Sequence, residues 1–104
     1  MKPIATQTPP PPPPRERDLS EVKKTAVALD LVADEAERAM RTHGPMRSHH
    51  EAYGLIAEEV EEFWAWVKRK DNDRVPVLVR EELVQIAAMA IRAIVDLDLI
   101  KEKP

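Results

Sequence analysis

HEAYGLIAEEVEEFWAWVKRK, residues 50–70, is the stretch whose reading decides the fold. Ala52, Ile56, Val60, Phe63 and Val67 recur at three- and four-residue intervals, with Leu55 and Trp66 on the flank, which is the period of a helix with one apolar face. Glu59 falls between them. A carboxylate buried without a partner costs on the order of several kcal/mol, so an acid on a core-facing stripe implies a proton, a cation or a metal to meet it.

Outward from this stretch the chain reads as three helices. Ser48 and Glu51 have capping-box spacing and start the central one, which is expected to run to about Lys70, where Asp71-Asn72-Asp73 breaks it. Lys68, Arg69 and Lys70 then fall in its last turn, where cations meet the helix dipole favourably. Upstream, Asp18 or Ser20 can cap a helix that ends before Gly44-Pro45, with Val22, Ala26, Leu29, Ala33, Ala36 and Met40 as a narrow packing seam. Downstream, Asp73 is expected to cap a third helix with Pro76 in its first turn, continuing to about Ile100. Leu83, Ile86, Ala87, Ala90, Ile91, Ile94 and Leu97 give that helix one broad apolar face, and Leu78, Val84, Ala88, Met89, Ala93 and Val95 carry it around the cylinder. A helix apolar over most of its circumference must be surrounded, and a bundle completed by homodimerisation does this better than a lone three-helix unit. No stretch alternates like a strand, so the fold class is all-α.

Composition sets the limits. A chain of 104 residues is one domain at most. Residues 1–17, which contain the run Pro9–Pro14, read as a disordered or semi-rigid proline-rich tail, and 18–104 as the helical domain. Nineteen acidic against sixteen basic residues, with Lys68–Lys70 the one local basic cluster, argue against a nucleic-acid polymer or an anionic membrane as partner. There is no apolar run for a signal peptide or a bilayer span, so the expected location is cytoplasmic. With no cysteine, a metal here must be held by carboxylate, amide or imidazole, and hard oxygen ligands suit magnesium or manganese.

The oxygen ligands form a pattern. Glu58 and Glu59 with Glu62 share neighbouring turns, and Glu82 with Gln85 repeats the three-residue spacing on the third helix. Antiparallel packing brings both groups to one oxygen-rich site. Glu58-Glu59-Val60-Glu61-Glu62, followed some twenty residues later by Glu82-Leu83-Val84-Gln85, resembles the EExxE…ExxD pattern of the MazG-like all-α nucleotide pyrophosphohydrolases over about His49–Leu99. The resemblance implies a homodimer or higher homo-oligomer that hydrolyses a nucleoside triphosphate to monophosphate and pyrophosphate with magnesium. By the same match, Glu59, Glu62, Glu82 and Gln85 would be metal ligands, and Glu58 would bind metal or position the attacking water.

Two departures from the pattern matter. Gln85 stands where the family has an acid, leaving the site one negative charge short unless Glu81 or Asp96 compensates. The chain also ends at Pro104, without the additional C-terminal helix that similar proteins often carry, so a reduced pocket or one supplied by a partner subunit is expected. An alternative reading is a catalytically degenerate helical dimer serving as a nucleotide-binding or protein-interaction module. A third is an adaptor that recruits a partner through its proline tail. Lys68, Arg69 and Arg80 are candidate phosphate contacts, and Trp66, Trp64 and Tyr53 candidate stacking partners for a base, against the commoner roles of solvated charge and helix packing. His43, His49 and His50 suit helix entry or a substrate loop better than a metal, because the adjacent pair diverges and no metalloprotease motif is present.

Overall fold

The computed structural model describes residues 8–14, 16 and 18–102. Residues 8–14 form neither helix nor strand, and the rest of the expected tail, apart from Glu16, lies outside the described residues. Three α-helices follow in order: α1, Leu19–Thr42; α2, His49–Val67; and α3, Pro76–Asp96. No strand occurs among the described residues, in keeping with the all-α reading.

The helix starts follow local chemistry. Asp18 accepts a hydrogen bond from the Glu21 amide at 2.8 Å, and Ser48 accepts one from the Glu51 amide at 3.0 Å. Pro76 occupies the first turn of α3, where its missing N–H is harmless. Asp73 does not cap α3. It belongs to a short 3₁₀ turn, Asp71–Asp73, and Val75 is the N-cap without a side-chain bond. α2 also ends earlier than expected, at Val67, so Lys68, Arg69 and Lys70 lie beyond its last turn. Its closing carbonyls are met instead by Arg74, which donates from Nε to Trp66 O at 3.1 Å and from Nη2 to Val67 O at 2.7 Å. α3 stops at Asp96 rather than Ile100. Asp98 takes a left-handed conformation (φ 58°) while its amide bonds Val95 O and that of Leu99 bonds Ile94 O, the Schellman pattern of a helix end.

α3 packs against both α1 and α2, and α1 and α2 do not pack against each other. The result is a cleft with α3 as floor and the other two helices as walls. The buried apolar residues are Ala36, Ala39, Met46, Ala52, Ala88, Met89 and Ala93, five of them alanine. Small side chains let the helices approach closely but bury little apolar area each. On α1 the inward stripe is Val32, Glu35, Ala36 and Ala39, so the seam expected from Val22, Ala26, Leu29 and Ala33 is the wrong face. Those four are exposed, and Met40 is exposed as well. On α2, Ala52, Leu55, Ile56, Glu59, Phe63 and Trp66 turn inward, while Val60 and Val67 are exposed.

Candidate metal centre and cleft

The cleft between the walls holds a cavity of about 740 Å³. On α3 it is lined by Glu82, Gln85, Met89 and Arg92, whose 3-4-3 spacing makes one stripe of the helix. On α2 it is lined by Glu51, Leu55, Glu59 and Glu62, and on the α1 side by Arg38, Ala39, His43 and Gly44. Glu59 and Glu62 sit late on α2 and Glu82 early on α3, so the antiparallel packing brings them to the same end.

There, one carboxylate oxygen from each of Glu59, Glu62 and Glu82 lies within 4.8 Å of the others. These three carboxylates are the residues that would hold a hard divalent cation such as magnesium. Burial, then the charge of Glu62, pushes the Glu59 carboxyl up to about 7. The Glu82 carboxyl is also raised, first by burial and then by its hydrogen bond with Glu62 and the Glu62 charge, and its Oε2 is buried with no hydrogen-bond partner. An orphaned acid oxygen beside two more carboxylates is a donor set that a hard divalent cation would satisfy.

The other expected site residues are distributed differently. Gln85 lines the same cavity as the three acids, one turn from Glu82. Glu58 is exposed and does not line it, whereas Glu81 does. Asp96 is engaged far from the acids, accepting the Met46 amide at 2.8 Å. Lys68, Arg69 and Trp66 do not line the cavity; the Arg69 guanidinium lies 4.1 Å from the Trp66 ring centre and the Lys68 ammonium 5.9 Å from that of Trp64. Arg80 lines a smaller pocket of about 300 Å³ on the α1 side of Gln85, with Glu35 and Glu81.

Two participants escaped the sequence reading. Glu35 lies on the inward stripe of α1 with its side chain 15 % exposed, forked to Arg38 at 2.9 and 2.5 Å. That pairing, assisted by a hydrogen bond from Gln85, holds its carboxyl below the usual range against the opposing effect of burial. Gln85 shares a smaller pocket with Glu35, where an aspartate would add a like charge. The signal was available, since Glu35 interrupts Val32, Ala36 and Ala39 as Glu59 interrupts its own stripe. The second is Arg92, the sole charged residue between Leu83 and Val95 and only 4 % exposed. No helix among the described residues is long and apolar enough to cross a membrane. No protein-family model, curated protein or solved structure matches this chain.

Proposed function

We propose that this chain is a magnesium-dependent nucleoside triphosphate pyrophosphohydrolase acting as a homodimer in the cytoplasm. The observation that carries the reading is the convergence of Glu59, Glu62 and Glu82 from two helices, with a buried Glu82 oxygen lacking any partner. The resemblance of residues 58–62 and 82–85 to the EExxE…ExxD pattern supplies the reaction class. Glu59, Glu62 and Glu82 would hold the ion, with the Gln85 amide oxygen beside them. Bound there, magnesium offsets polyphosphate charge and acidifies water.

The chain's own residues have definite tasks. Water attacks the α-phosphorus, an O–P bond forms, the bridging α–β P–O bond breaks, and pyrophosphate leaves. The proton passes to a carboxylate. Glu81 lines the cavity and Glu58 stands outside it, so comparing Glu81→Gln with Glu58→Gln assigns that role. Leu83, Ile91, Ile94 and Val95 on α3 are exposed, with Val60 and Trp64 on α2. In this reading a second copy covers those side chains, raising the apolar burial that an alanine-rich core leaves low.

The test is pyrophosphate release from a panel of nucleoside triphosphates with magnesium. Turnover lost in Glu59→Ala is expected; no turnover above that variant with any nucleotide overturns the reading. A second reading, a helical dimer that binds without turnover, is favoured by one observation: the fourth ligand position is the neutral amide Gln85. Activity appearing only in Gln85→Asp supports it, and activity in the natural chain removes it.

A further inference from the structure

The end of the cleft opposite the three carboxylates contains an unneutralised cation. Arg92 is buried, its Nε has no hydrogen-bond partner, and no carboxylate pairs with it within 4 Å among the described residues. Its two remaining contacts are weak: Nη1 to the Met89 thioether at 3.5 Å and Nη2 to the Gly44 carbonyl at 3.3 Å. Asp96, one turn away, directs its carboxylate to the Met46 amide instead. A guanidinium with most of its five donors unused is an expensive thing to bury. Holding the Gly44 carbonyl does not explain it, because that contact needs a single donor.

The surroundings say what would meet it. Arg92 lines the same cavity as the acids, with Arg38 and His43 on the facing wall. Arg38 is already forked to Glu35, and Glu51, the nearby cavity acid, accepts from the Arg47 amide at 3.2 Å. None of these carboxylates pairs with Arg92, although Asp96 lines a small pocket with it, so an anion that does pair has to come from outside. A planar guanidinium backed by a second arginine and a histidine suits a multiply charged tetrahedral oxyanion, which it can grip through two parallel N–H bonds.

We propose that Arg92, flanked by Arg38 and His43, is the receptor for a phosphate-type oxyanion at this end of the cleft. Ten residues of α3 separate it from Glu82, an axial distance of about 15 Å. A small inorganic ion at Arg92 would not reach the acids, whereas an extended phosphate ester would span the floor. This placement rests on the nucleotide reading: the substrate lies lengthwise along α3 with its metal-chelated phosphates at Glu82 and an anionic group at Arg92.

The experiment follows the Arg92 Nε–H resonance of the full-length, metal-free protein during titration with sodium pyrophosphate, and separately with sodium phosphate, against sodium chloride at equal ionic strength. A saturable shift with pyrophosphate and none with chloride is expected; saturation by phosphate as well assigns the subsite to a single phosphoryl group. By calorimetry, Arg92→Met should lose at least about tenfold in pyrophosphate affinity and Arg92→Lys retain part of it, with manganese binding at the carboxylates unchanged in both. No shift in the natural protein, or equal affinity in Arg92→Met, overturns the proposal. Should Arg92→Met fail to fold, the resonance in the natural chain decides alone. A protein that binds pyrophosphate at Arg92 yet hydrolyses no nucleotide upholds this subsite and removes the nucleotide reading. A protein that hydrolyses nucleotides with the resonance unmoved does the reverse.

Discussion

The two ends of the cleft contrast with the outer surface in how they treat charge. Outside, Arg41 pairs with Glu37 and Arg74 with Asp71, each within one turn on the same stretch of chain. Such exposed pairs contribute about 0–1 kcal/mol apiece, so the chain neutralises charge where neutralising matters least. Inside, three acids crowd one end and Arg92 occupies the other, on the same stripe of α3 and out of each other's reach. Two uncompensated charges of opposite sign would cancel if stability alone had shaped them. Their separation marks the cleft as a place prepared for a polar, two-ended occupant.

The contrast is most directly broken at the acidic end. Glu82→Gln or Glu59→Gln should lower pyrophosphate release by more than about a hundredfold, beyond the loss usual for residues that only support a ligand. The same variants should melt higher than the natural protein without metal at neutral pH, since each removes a charge that burial and Glu62 oppose. Activity and stability moving in opposite directions distinguish a site from a structural pair.

Next comes pH. Glu59 rises from an ordinary 4.5 to about 7 in the folded chain, and Glu82 shifts the same way. Below 4.5 folded and unfolded chains both hold these protons; as pH rises towards about 7 the unfolded chain releases them first, so metal-free stability falls across that window. Glu35, whose carboxyl is held low, acts oppositely, and its contribution fades only as pH drops below the ordinary carboxylate range. Thermal melts from pH 4.5 to 7 should therefore decline without metal, and added manganese should flatten or reverse the slope.

At the basic end the effect is smaller and purely structural. Asp96→Ala frees the Met46 amide and should cost about 1.5 kcal/mol in urea unfolding, because that bond pins the buried Met46 and the α1–α2 connection to the floor. Smallest of all, and outside the cleft, Asp98→Gly should stabilise by about 0.5 kcal/mol by relieving a left-handed aspartate, with no change in activity. An activity change there would mean that the charge contrast extends beyond the cleft.

Much of this was legible in the sequence, for identifiable reasons. Asp18 and Ser48 cap where local chemistry says they should, and Glu59 announced itself by interrupting an apolar period. Helix ends governed by distant groups were less readable: α2 is closed by Arg74, reaching back seven and eight residues, and Asp71–Asp73 turns on itself instead of capping α3. The seam of α1 failed because several apolar stripes fit its sequence, and only the position of α3 selects one. Arg92 was overlooked because it lies in an apolar run, although a lone charge between Leu83 and Val95 is the same kind of signal that exposed Glu59.

Because α1 and α2 each pack on α3 and not on each other, the walls of the cleft are coupled mainly through that floor. Substitutions at Ala36 on one wall and Phe63 on the other should add within about 0.3–0.5 kcal/mol, whereas Ala39 on one wall and Ile56 on the other should each couple to a change at Met89, which they pack around. A chain built this way can alter one wall without a compensating change in the other. The variation it tolerates is bounded by α3, where a single residue answers to both sides at once.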